Sequence, residues 1–122
     1  MPVEHTAIAR AELGPEPLLA VEQACTLESV PAKAREIARR HMKRYLELDN
    51  YTNNLRRLGW GDADLGDGGS DALVDAIVAW GGMDAVRTRV GAHRSSGADH
   101  VCLQVFGDDV PGQLRVIAKA LL

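Results

Sequence analysis

Aromatic residues are scarce in this chain: Tyr45, Tyr51, Trp60, Trp80 and Phe106 are all it has among 122 residues. Its core must therefore be built from aliphatic side chains and alanine, which suits helices packed through small residues. Cysteine is scarcer still. Cys25 and Cys102 have neither metal-ligand spacing nor a disulfide framework, and both sit in apolar, strand-like runs, so each is expected to be a buried free thiol. No segment approaches the ~18 consecutive apolar residues that span a bilayer, which leaves no membrane partner to expect. The opening Met1-Pro2-Val3-Glu4-His5 lacks a charged stretch followed by an apolar run, so the expected location is cytoplasmic. A positive excess is also absent. With a net charge of -3, the chain has no cationic excess for neutralising phosphates, so nucleic acid is not an expected partner.

Several chemistries are absent as well. No serine, histidine and acid form a recognisable triad, and His5, His41, His93 and His100 show no ligand spacing. Those histidines are expected to be ordinary surface or packing residues. Gly59, Gly61, Gly66, Gly68 and Gly69 crowd one loop, but no Gly-Lys-Ser/Thr follows to make a phosphate cradle. Asp62, Asp64 and Asp67 resemble a calcium loop, yet no Glu closes it at the twelfth position.

What is present reads as an alternation of helices and strands. A short helix is predicted over Pro2 to Leu13, stopped by Gly14-Pro15. Leu18 to Leu27 reads as a buried strand, bulged where Glu22-Gln23 interrupts its apolar ends. A long helix over Pro31 to Leu48 turns Ala34, Ile37, Ala38, Met42, Tyr45 and Leu46 inward and presents a basic face to solvent. A further helix runs from Tyr51 to Leu58, followed by the Gly59 to Gly69 loop. Ser70 can cap a helix over Asp71 to Trp80, and another spans Met83 to Ser95 through Met83, Val86 and Val90. His100 to Phe106 is a compact strand signal, and a last helix turns Leu114, Ile117, Ala118 and Leu121 inward. Two strands separated by helices imply parallel pairing in an α/β sheet.

Two stretches carry a family resemblance. One runs Trp80-Gly81-Gly82-Met83-Asp84-Ala85-Val86-Arg87-Thr88-Arg89-Val90 and closes on Gly97-Ala98-Asp99-His100-Val101-Cys102-Leu103-Gln104-Val105. It is similar to the closing helix and strand of luciferase-like monooxygenases, although Gly82-Met83 stands where that family often has Thr-Pro. The other combines Glu4-His5-Thr6-Ala7, Leu13-Gly14-Pro15, Glu22-Gln23, Asn50-Tyr51-Thr52-Asn53-Asn54-Leu55-Arg56-Arg57-Leu58-Gly59 and Gly69-Ser70-Asp71. It resembles the subfamily of F420-dependent oxidoreductases. The resemblance implies an α/β fold, part of a TIM (β/α)8 barrel, with residues 1–122 forming a single domain from its C-terminal portion. Leu18 to Leu27 would be the seventh barrel strand and His100 to Phe106 the eighth. It further implies F420 or FMN as coenzyme, and hydride transfer or oxygen activation on a small-molecule substrate at the barrel mouth.

Within that frame Gln104 is the expected cofactor-binding residue, its carboxamide facing an isoalloxazine-like ring, with backbone-satisfied burial as the alternative. Tyr51, Asn54 and Arg57 are the expected substrate-side residues, although capping and helix packing account equally for Asn50 and Tyr51. Glu28 is either a mouth carboxylate or, preferably, a charge at a helix start. No catalytic residue and no metal ligand is assigned. A closed barrel needs about eight strands and roughly 250 residues, so these 122 residues are not expected to be active alone. The competing reading is a non-catalytic α/β module whose open strand edges associate with a second copy or a partner barrel half.

Overall fold

The computed structural model describes all 122 residues as an α/β fold with seven helices and three parallel strands. In chain order they are α1 (Val3–Leu13), β1 (Ala20–Thr26), α2 (Pro31–Leu46), α3 (Asp49–Arg57), α4 (Asp62–Leu65) and α5 (Asp71–Ile77). Then follow β2 (Val78–Trp80), α6 (Met83–Ser95), β3 (His100–Val105) and α7 (Val110–Leu121). The sheet order is β2-β1-β3.

The third strand is a correction to the sequence reading. Val78–Trp80 was expected to finish a helix begun at Asp71, but that helix stops at Ile77. The run Ala76 to Trp80 is apolar throughout, so its pattern suits a buried helix turn and a buried strand equally. The tertiary fold decides: β1 offers an open edge, and Val78, Ala79 and Trp80 pair with Ala24, Cys25 and Thr26. The expected bulge at Glu22-Gln23 is absent. Pairing with β3 runs unbroken from Ala20↔His100 to Cys25↔Val105, and simple alternation explains the polar pair. Glu22 points to one face and is exposed, while Gln23 points to the other and is buried.

The two faces of the sheet are covered differently. On the face of Ala24, α2, α3 and α5 bring Ala38, Met42, Leu55, Leu73, Val74 and Ile77 into one core. On the face of Cys25, α6 and α7 bring Val86 and Ile117, with Leu103, Val105 and Leu121 beside them. Right-handed crossovers give this division, because β1 to β2 and β2 to β3 step across the sheet in opposite directions. Helix α7 departs from expectation. Ile117 is buried and Leu121 half-buried, but Leu114 and Ala118 are exposed, since α7 meets the sheet along one narrow line. Cys102 is exposed too; it shares the face of Glu22 and lies on the edge strand β3.

The Gly97-Ala98-Asp99 stretch fixes where β1 and β3 begin. The Asp99 carboxylate accepts from Leu19 N–H at 2.8 Å and from the Arg10 guanidinium. Arg10 also donates to the carbonyls of Gly97, Gly14 and Pro17 at 2.8–2.9 Å. Gly97 has φ +109°, and a Cβ there would lie 2.7 Å from Arg10 Cγ, so the position requires glycine. Ser70 caps α5 as predicted, accepting from Leu73 N–H at 3.1 Å.

Candidate functional site

One cavity exists because β2 is short. Pairing with β2 begins only at Ala24, so the first half of β1 has no strand on that side, and the first turns of α1 pack there instead. The space enclosed by α1, β1, α2 and α3 is about 290 Å³ and opens to solvent on one side. That lies near the lower bound of small-molecule pockets, roughly 300–1,000 Å³.

Ring side chains concentrate along this cavity. His41 lies 5.3 Å from Tyr45 between centroids and Tyr45 lies 5.2 Å from Tyr51, all three in the lining, while Phe106, outside it, lies tilted 4.1 Å from His41. Helix periodicity places His41 and Tyr45 one turn apart on α2, and Tyr51 follows from the first turn of α3. Opposite them stand Glu22 and Gln104, neighbours across the β1–β3 pair, with Gln104 Nε2 donating to Glu22 Oε1. Glu22 Oε2 has no protein partner.

The electrostatics are simple. Burial pushes the His41 imidazole below its ordinary 6.5, helped by the Met1 amine and opposed by Glu22. Burial likewise lowers His5 and the Met1 amine, and raises the Tyr51 phenol. At neutral pH the histidines are uncharged, and no arginine or lysine lines the cavity. Glu22 is its one carboxylate.

A polar network holds the back wall in place. Gln23 Nε2 donates to the carbonyls of Ala24 and Ile77 at 2.7 and 2.8 Å, so its Oε1 faces His93 Nε2 at 2.7 Å and must accept. His93 Nε2 therefore carries a proton, and in the neutral ring that its depressed pKa gives at neutral pH, Nδ1 accepts from the Thr6 hydroxyl at 2.8 Å. All three side chains are buried. They join α1, α6 and β1, and with them the cavity wall. Burial, aided by nearby Arg89, depresses the His93 pKa to about 4.

The predicted site residues separate into two groups. Tyr51 and Gln104, distant in sequence, line the same cavity. Asn54 and Arg57 do not. They bond each other at 2.8 Å on the outer surface of α3. Glu28 serves the helix start, accepting from Val30 N–H at 3.2 Å with Lys33 at 3.7 Å. Sequence reasoning missed Glu22, His41 and Tyr45 as cavity residues. Tyr45 was assigned to the core, and only the pairing of Glu22 with β3 reveals which face it takes.

A second opening lies beyond the carboxyl ends of β1 and β3, where the chain leaves toward opposite faces. Ligands commonly bind at such a switch point. Here Glu28, Asp108 and Asp109 surround it, and Asp109 already caps α7 by accepting from Gly112 N–H at 3.1 Å. Gln113 closes the crevice, accepting from Leu27 N–H and donating to the Phe106 and Asp108 carbonyls at 2.8–3.0 Å. An anionic ligand finds no counter-charge there.

The residues present meet only part of either coenzyme. A planar ring with hydrogen-bonding edges suits the cavity at Gln104, but nothing lining the cavity holds a phosphate-bearing tail. No family model, curated protein or solved structure matches this chain.

Proposed function

We propose that this chain is a closing portion of a luciferase-like, F420- or FMN-dependent oxidoreductase barrel. In this reading β1 and β3 are its last two strands, α6 and α7 cover their outer face, and the face of Glu22 and Gln104 lines the interior. The observation that carries it is the convergence of Gln104 and Tyr51, chosen for separate roles, on one cavity. Gln104 would meet the coenzyme ring at the mouth, and the aromatic cavity would receive the substrate. The coenzyme supplies the hydride or oxygen chemistry when bound, and these residues orient its ring and exclude water. Three strands cannot close a barrel of about eight, so the tail-binding residues must come from further strands. Joining them would require α2 and β2, which lie over the interior face and the outer edge of β1, to swing aside.

The test is a nuclear magnetic resonance titration of the chain with F420, FMN and the tail-less ring lumiflavin. The proposal expects weak binding, with shifts centred on Gln104, and no gain in affinity from the tail. Ring binding elsewhere, or no binding, counts against it. Much tighter binding of intact F420 or FMN would show that the tail is held by this chain.

A second reading is favoured by the sheet itself. The outer edge of β3, His100–Val105, is unpaired along its whole length, and such an edge is a template for another strand. A non-catalytic module pairing through β3 would sediment as a dimer or larger species. A monomer at high concentration would exclude self-pairing.

A further inference from the structure

The identity of what the cavity binds follows from its charge and its rings. Its lining carries the rings of His41, Tyr45 and Tyr51, and its one carboxylate is Glu22, with one oxygen uncommitted. Aromatic faces attract cations through the ring quadrupole, most strongly where water is displaced. A carboxylate accepting from a planar N–H edge forms the stronger, charge-assisted kind of hydrogen bond. No arginine or lysine stands in the lining to receive an anion or to neutralise Glu22. Gln104 donates to Glu22 and so fixes its orientation without cancelling its charge.

We propose that this cavity binds a small planar organic cation, of the amidinium or protonated amino-heteroaromatic class. Its ring lies against Tyr45 and Tyr51, and its N–H edge is held by Glu22. Calling this ligand the substrate rests on the oxidoreductase reading above. The ligand class rests on the cavity alone. A volume of about 290 Å³ suits a single ring with a short substituent. The Met1 amine, 3.5 Å from the Tyr51 hydroxyl, is the one competing cation. Burial makes it yield its proton more readily than a free amine.

The experiment is a two-dimensional amide-resonance titration of the intact chain with benzamidine and, separately, with benzoate, an anion of similar shape. Benzamidine is expected to give saturable shifts at Glu22, Tyr51 and Gln104, and benzoate none at these positions. Glu22→Gln, an exposed and nearly isosteric change, is expected to weaken benzamidine roughly tenfold or more through loss of the charge-assisted bond. Tyr51→Leu, which keeps apolar bulk but removes the ring, is expected to weaken it several-fold. Unchanged dispersion of the remaining resonances checks that each variant is folded. Equal binding of benzoate, no shifts at the cavity with either probe, or an unchanged benzamidine affinity in Glu22→Gln would each overturn the proposal. None of these outcomes involves F420 or FMN, so the failure of either proposal can be told from that of the other.

Discussion

Acid should destabilise this protein through His93, and the magnitude follows from the structure. His93 is buried as a neutral imidazole between Thr6 and Gln23, with a pKa of about 4 against an ordinary 6.5. The unfolded chain therefore takes up a proton at higher pH than the native state does. Stability from this group is complete above pH 6.5, falls as pH drops below it, and levels off beneath pH 4. At pH 5 the loss is about 2 kcal/mol, and at its full extent about 3 kcal/mol. Both are large fractions of the ~5–15 kcal/mol that holds a typical domain together. Urea unfolding at pH 7.5 and pH 5, followed by far-ultraviolet circular dichroism, measures the total pH dependence. His5 and His41 are depressed in the same direction and contribute to it. His93→Gln isolates the share of His93, because the variant keeps the other histidines and cannot titrate at this position. The variant should be less stable at pH 7.5, and the difference from wild type should shrink by about 2 kcal/mol at pH 5. An unchanged difference, or a His93 imidazole that titrates near 6.5 in a direct resonance measurement, would refute the assignment.

Three further outcomes are expected. In native protein a thiol reagent should modify Cys102 and spare Cys25, which is fully buried and has its pKa pushed up to about 11. Rapid reaction of two thiols before unfolding would show that the sheet opens easily. Gly97→Ala should cost roughly 2 kcal/mol or more, because it adds a clash with Arg10 to an unfavourable positive φ. Gly59→Ala, also at positive φ but with open space around it, should cost about 1 kcal/mol. Equal losses in thermal or urea unfolding would mean that Arg10 simply moves away. Gln113→Ala removes three hydrogen bonds that tie α7 to the ends of β1 and β3, and should lower stability by roughly 1–3 kcal/mol. Amide exchange should quicken at Leu27 in that variant, and unaltered exchange there would sink the idea.

The sequence by itself determined most of the elements and few of their neighbours. Helical periodicity located α2 and α6, Ser70 marked the start of α5, and β-branched residues marked β3, because each signal is written within a few adjacent residues. It offered no metal-ligand spacing and no nucleophilic triad as a readable motif. Tertiary structure decided what local pattern leaves degenerate. Val78–Trp80 is a strand only because β1 has a free edge to receive it, and Glu22 faces the cavity only because of the register of β1 with β3. Tyr51 and Gln104 line one cavity through the packing of α3 against α2 and of β3 against β1, whereas Asn54 and Arg57, on the same helix as Tyr51, turn outward. Most telling is the Gly97-Ala98-Asp99 stretch, which carries part of the family resemblance and also forms a strand-starting clamp with Arg10. A motif records which residue types are needed. Whether they are needed for folding or for chemistry depends on what stands opposite them, and that is set by contacts across most of the chain's length.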